Sequence, residues 1–241
     1  MNLLRHTQAC LDAAQAWPPA ESSTRIDPRG PKSVRVFESG WIERIFAQAH
    51  PATPILWFGP ILVVAAYTTL TGDRTTHLLA VPLFFAGWLA WTLVEYLLHR
   101  FLFHMEAETP KQRLRAFLVH AYHHIYPNDK MRLVAPPLMS WPVGAVLALI
   151  THWALGPGLW MPAYAGVTIG YLAYDYTHYY SHHFRPRGGP GKWLRSYHML
   201  HHHDDRSSRF GVSSPLWDLV FNTYAPVRRS EETRVSPDLR H

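Results

Sequence analysis

Four stretches of this chain carry no charged side chain, and they come in two close pairs. Residues 54–70 (PILWFGPILVVAAYTTL) and 75–94 (TTHLLAVPLFFAGWLAWTLV) are separated by the short turn from Thr71 to Arg74. Residues 138–155 (LMSWPVGAVLALITHWAL) and 158–174 (GLWMPAYAGVTIGYLAY) repeat the arrangement around Gly156 and Pro157. Each run approaches the ~20 residues that cross a bilayer as a helix, so the pattern predicts two transmembrane hairpins. Trp57, Trp88, Trp91, Trp141, Trp153 and Trp160 suit interfacial positions.

The competing arrangement is a soluble bundle of four buried helices, and a slightly negative average hydropathy favours it at first sight. Charge placement decides between them. Of 23 Lys and Arg, six precede residue 54, six lie in 99–137, ten follow residue 176, and only Arg74 sits in a short turn. Twenty-two of 23 therefore share one side, as the positive-inside rule requires of a four-span protein with both termini cytoplasmic. The net charge of +6 is then a topology signal plus attraction to anionic headgroups. It is not a nucleic-acid signature, because no basic run is interleaved with stacking aromatics.

The expected fold is all-α: an integral membrane protein with spans of about 54–70, 75–98, 138–155 and 158–176. Residues 1–53 precede the membrane domain 54–241. In that segment Pro18-Pro19, Pro28, Gly30 and Pro31 break the chain, and Trp41 to Phe46 (WIERIF) reads as a short helix lying in the interface. No cleavable signal pattern opens the chain. A single cysteine, Cys10, excludes a disulfide framework and a thiolate metal site.

Twelve of the 17 histidines fall in four clusters: His99 and His104; His120, His123 and His124; His178, His182 and His183; His198, His201, His202 and His203. Side chains three or four residues apart share a helix face. His120, His123 and His124 can thus converge, as can His178 with His182, and His198 with His201 and His202. Convergent neutral imidazoles are metal ligands. Surface tracts that bind metal adventitiously are polar and of low complexity, whereas these clusters are interleaved with Phe, Tyr and Leu. The five-residue step from His99 to His104 turns the second side chain about 140° from the first on a regular helix. Either the helix loosens after His99, or the two residues serve different metals.

All four clusters fall on the basic side, in segments 99–137 and 177–223, which are expected to form a helical cap. Ten or more imidazoles exceed the four to six positions of one ion, so two metals is the natural count. Glu95 lies one turn before His99 and Asp175 three residues before His178. A carboxylate at a membrane boundary is costly unless paired, so each is expected to orient an imidazole. A metal transporter or storage protein would use the same residue type, but transporter ligands lie near the middle of the spans. Only His152 falls inside one, near its far end, with His77 at a turn.

At these residues the sequence resembles the membrane fatty acid hydroxylase and sterol desaturase superfamily, and within it most closely the fatty acid 2-hydroxylases. The pattern His-x4-His, His-x2-His-His, His-x3-His-His, His-x2-His-His is followed by Phe210-Gly211-Val212-Ser213-Ser214-x2-Trp217-Asp218-x-Val220-Phe221-x-Thr223. The resemblance runs from His99 to Thr223, about half the chain. It implies four transmembrane helices under a cytoplasmic dome, with metal ligands at His99, His104, His120, His123, His124, His178, His182, His198, His201 and His202. His183 and His203 are left as outer neighbours.

The implied activity is oxygen-dependent hydroxylation of a lipid acyl chain at the 2-position by a non-haem di-iron centre. Sterol or carotenoid hydroxylation or desaturation is the alternative within the superfamily. Imidazole nitrogen retains iron and leaves positions for dioxygen; zinc fits the same imidazoles but cannot do redox chemistry. No attached haem electron carrier is expected, so a separate reductase or ferredoxin supplies electrons. The expected location is the plasma membrane in a bacterium or the endoplasmic reticulum in a eukaryote.

Overall fold

The computed structural model describes residues 4–16, 33–203 (to His202 for side chains) and 207–228. Eight helices can be named: α1 (Gln8–Gln15), α2 (Thr53–Leu70), α3 (Arg74–Leu97), α4 (Pro110–Ala116), α5 (Pro137–Leu155), α6 (Trp160–His183), α7 (Gly189–His203) and α8 (Leu216–Val220). No β-strand occurs among the described residues, where the sole pairing is an isolated bridge between His6 and Phe37.

The four uncharged runs are helical and fall in α2, α3, α5 and, from Trp160, α6. Asp73 caps α3, its carboxylate accepting from the Thr76 backbone N–H at 2.7 Å, and Gly156 ends α5 with φ of 74°, a left-handed conformation in which glycine avoids a Cβ clash. By length and composition α2, the continuous helix Arg74–Phe103 and α5 can each cross a membrane. Their outer faces are apolar and bare: Leu56, Val63, Leu78, Val81 and Leu149 are exposed, and Trp153 is 90% exposed. Trp91 departs from the expected interfacial belt. It is buried at 5% exposure between Tyr171 and Tyr174, because α6 presses directly on that face of α3.

α6 is the helix that the others surround, and thirteen of its residues are buried. Its polar groups are therefore answered by protein. Tyr164 donates to the Gly144 carbonyl at 3.0 Å, Tyr171 to Asp175 at 3.2 Å and Tyr176 to the Pro51 carbonyl at 2.9 Å. Contact with α3 is backbone to backbone. A Cβ placed on Gly166 would lie 1.9 Å from the Phe84 carbonyl oxygen, and one on Gly87 would lie 1.9 Å from that of Ala163. Gly166 and Gly170 form a Gly-x3-Gly stripe of the kind that lets membrane helices approach closely.

Beyond the spans, Cys10, Ala14 and Val36 pack on Phe117, Ala121, Tyr122 and Tyr126 to form a separate core. The Trp41–Phe46 segment is a turn of α-helix, Gly40–Ile42, running into a π-helical turn, Glu43–Ala47. Trp41 and Ile45 face outward while Ile42 and Glu43 are buried. Glu43 accepts from the backbone N–H groups of Val36 at 3.0 Å and Phe37 at 2.8 Å and pairs with Arg132, which also meets Asp129. Removing one partner strands a buried charge. Arg132→Met is thus expected to cost ~3–5 kcal/mol, read as a lowered unfolding midpoint in micelles; an unchanged midpoint would show that water reaches Glu43.

Candidate metal centre

The five-residue step resolves by loosening of the helix. Leu98–Phe103 is a π-helical turn in which the His104 N–H reaches the His99 carbonyl at 3.1 Å, so the i,i+5 pair lies on one face. A second π-helical turn, Phe117–Ala121, continues α4 and carries His120. It leads into the short α-helical turn Tyr122–Ile125, with His123 and His124. The last turn of α6 carries His178 and His182, and α7 carries His198, His201 and His202.

These ten imidazoles collect in two groups of five. One is His99, His104, His120, His124 and His201; the other is His123, His178, His182, His198 and His202. Within each group one nitrogen per ring lies within 4.8 Å of all the others. The local clusters do not each converge on one point, as their spacing alone suggests. On a helix, residues three and four positions along point about 100° apart. His124 therefore stays with His120 while His123 turns to the second group, and His202 stays with His198 while His201 turns to the first.

Separations inside each group speak to what the nitrogens can hold. In the first, Nε2 of His120 lies 3.1 Å from Nε2 of His99 and 3.0 Å from Nε2 of His124, and His201 lies 2.9 Å from His104. In the second, Nε2 of His198 lies 3.0 Å from Nε2 of His182 and 3.1 Å from that of His202. One ring nitrogen carries at most one proton, so proton sharing cannot satisfy His120 or His198 toward two neighbours each. A cation can. Nitrogens ~2.05 Å from an ion are about 2.9 Å apart at right angles and about 3.3 Å apart at the tetrahedral angle, and the observed separations of 2.9 to 3.1 Å fall within that span.

Tautomers support the same conclusion. Nδ1–H of His99 donates to the Phe210 carbonyl at 2.5 Å, and Nδ1–H of His201 to that of Ser208 at 2.7 Å. Each bond leaves the Nε2 lone pair pointing into the group. Nε2 of His123 and of His178 is buried without a hydrogen-bond partner. Burial holds His120, His123, His198 and His202 well below the ordinary imidazole value, because desolvation penalises the charged ring. They are neutral, and so able to ligate, at physiological pH.

The outer neighbours sit differently from expectation. Glu95 turns to the backbone N–H groups of Val212 and Ser213 rather than to an imidazole. Asp175 accepts from Tyr171 and from the Ala135 N–H at 3.3 Å. His183 packs on Tyr179 with ring centres 4.5 Å apart, and the side chain of His203 lies outside the described residues. Spacing gave no signal for the Phe210 and Ser208 carbonyls, which are backbone atoms, nor for Phe103, which stacks on the His120 ring at 4.8 Å.

Against His120, His123 and His178 opens a cavity of about 500 Å³, walled by Phe103, Leu118, Val119, Leu133, Met139 and Tyr174. It runs from both histidine groups toward the start of α5 and the Phe46–Ala47 turn. Its size and its apolar wall with few polar groups are those of a small-molecule site.

Known proteins resemble this chain in sequence and fold. The fatty acid hydroxylase family model matches residues 84–223. A dihydroceramide fatty acyl 2-hydroxylase of Arabidopsis thaliana is 35% identical over 80% of this chain and 81% of its own length. The fatty acid 2-hydroxylase of Rattus norvegicus is 36% identical over 81% of this chain, which spans 58% of the rat protein. The solved structure of full-length scs7p, with its hydroxylase domain visible, superposes with a TM-score of 0.71 at 33% identity, covering 82% of this chain and 76% of that one. With the family model matched from residue 84 to 223 and relatives about a third identical along most of its length, the chain belongs to the fatty acid hydroxylase family.

Proposed function

We propose that this chain hydroxylates a lipid acyl chain at the carbon next to the carbonyl, with one iron ion in each histidine group. The observation that carries the reading is the pair of five-imidazole groups, each with its nitrogens close enough to share an ion, beside an apolar cavity. Iron bound there supplies the redox chemistry that couples dioxygen reduction to C–H oxidation. In balance, the C–H bond, dioxygen, two electrons and two protons give the alcohol and water, so a separate electron donor is required.

The residues do the rest. His120, His123 and His178 bring both groups to the cavity wall, and Phe103, Leu118, Val119 and Met139 exclude water and hold the methylene chain. The cavity's extension toward α5 suits a substrate that rises from the bilayer. In the relatives the named substrates are fatty acids and dihydroceramide fatty acyl groups. The chain length and head group of this protein's substrate follow from a comparison of lipids by mass spectrometry with and without the gene. A 16-mass-unit gain next to the carbonyl is expected; a gain elsewhere on the chain, or none, would contradict the reading.

The same reading makes α6 a fourth span. It is shielded from lipid by α2, α3 and α5, and so is free of their need for an apolar surface. The cap then faces the cytoplasm with both termini, the side that holds 22 of the 23 Lys and Arg. Arg74→Cys and Lys111→Cys, both at exposed positions, are expected to react with impermeant reagents from opposite sides of the membrane. Labelling of both from one side would overturn the topology.

A further inference from the structure

Asp218 is fully buried on the inner face of α8, and no step of the hydroxylation proposed above uses it. Its Oδ1 accepts from the Phe210 N–H at 2.8 Å and the Thr223 hydroxyl at 2.7 Å, and its Oδ2 accepts from the Gly211 N–H at 2.8 Å. Oε1 of Glu95 takes the next two N–H groups, Val212 and Ser213, each at 2.8 Å. Two carboxylates thus hold four consecutive backbone N–H groups. The turn they hold is tight. Arg209, just before it, has φ of 62°, a left-handed conformation that side-chain-bearing residues adopt only when held there. A Cβ on Gly211 would lie 2.0 Å from the Ser214 carbonyl oxygen.

One peptide unit in this turn joins two distant groups. The Phe210 carbonyl and the Gly211 N–H belong to the same planar trans peptide, so they point in opposite directions. The N–H end meets Asp218, and the carbonyl end accepts from Nδ1–H of His99 at 2.5 Å. A carboxylate on the N–H end polarises the peptide and makes its oxygen a stronger acceptor. That raises the basicity of the far ring nitrogen, as a carboxylate bonded directly to a ligating histidine does.

We infer that Asp218 is a positioning residue for His99, acting through the Phe210–Gly211 peptide, with Glu95 fixing the following two residues of the turn. The inference rests on the two-ion reading above. It explains why Glu95 lies one turn from His99 and yet turns away from it: it holds the turn that holds the imidazole.

The test is a two-site titration of the full-length protein in micelles with cobalt(II). Asp218→Asn keeps the volume and removes the charge. It is expected to weaken one cobalt site ~10- to 100-fold and leave the other, held by His123, His178, His182, His198 and His202, unchanged. In a His99→Ala background, where the second site alone is left to fill, the same substitution should change nothing. A merely structural role would weaken both sites together or neither, and either result overturns the inference, as does any weakening of that remaining site. Thr223→Val removes one hydrogen bond from Asp218 at a partly exposed position. It is expected to weaken the same single site by a few fold, so the inference stays open to refutation if Asp218→Asn does not fold. A wild-type protein that takes up only one cobalt would refute the two-ion reading itself, and the inference with it.

Discussion

His123→Ala and His201→Ala are each expected to lower bound metal from about two ions per chain to about one, and to abolish hydroxylated product. The two substitutions sit on neighbouring helices but strike different groups, His201 the first and His123 the second. Each leaves four imidazoles in its own group and five in the other, so loss should be selective. Removal of groups that only orient a ligand costs ~10- to 100-fold in metal affinity or activity, and removal of a ligand should exceed that. Metal analysis of the purified variants, alongside their lipid products, checks it. Two ions and full activity in both variants would contradict the two-group centre.

Gly166→Val is expected to abolish the folded protein. Its Cβ would lie 1.9 Å from the Phe84 carbonyl oxygen and 2.8 Å from the Trp88 nitrogen, both backbone atoms that no rotamer change can move. α3 and α6 would have to separate, and α3 runs straight into the π-helical turn that carries His99 while α6 carries His178 and His182. Such overpacking belongs to the rare substitutions that exceed ~4–5 kcal/mol, so no monodisperse, metal-holding protein should be recovered. Gly158→Ala is the control, because a Cβ there meets nothing within 4 Å. Equal recovery of both variants would show that α3 and α6 are not packed backbone to backbone.

Which parts were legible in the sequence follows from how local each signal is. Uncharged runs and the segregation of Lys and Arg report the solvent around each helix, so the hairpins could be read without any contact being known. Histidine spacing marked four clusters of twelve for the same reason, and the family resemblance selected the ten imidazoles that gather in two groups. Spacing did not divide them correctly, because His123 and His124 diverge around a helix that lies between two groups, and only tertiary placement shows what stands on each side. The π-helical turn at Leu98–Phe103 was legible as an alternative, since His99 and His104 cannot share a face on a regular helix. Trp91 was misplaced at the interface because composition does not reveal that α6, with Gly170 at the contact, removes it from lipid. Glu95 was singled out by its proximity to His99, but its carboxylate bonds the backbone of Val212 and Ser213, more than a hundred positions away, and no spacing rule reaches so far.

If the two histidine groups hold iron that inserts an atom of dioxygen into an acyl chain, the new hydroxyl oxygen must come from dioxygen. Zinc stands above ferrous iron in the affinity order, so protein from overexpression can carry zinc and be inert. The direct measurement is reconstitution of metal-free protein with ferrous iron, an electron donor, acyl lipid and oxygen-18 dioxygen. Mass spectrometry of the product is expected to show a hydroxyl next to the carbonyl that carries oxygen-18, formed with iron and absent with zinc. Product whose new oxygen comes from water, or that forms equally with zinc and no reductant, would contradict the account.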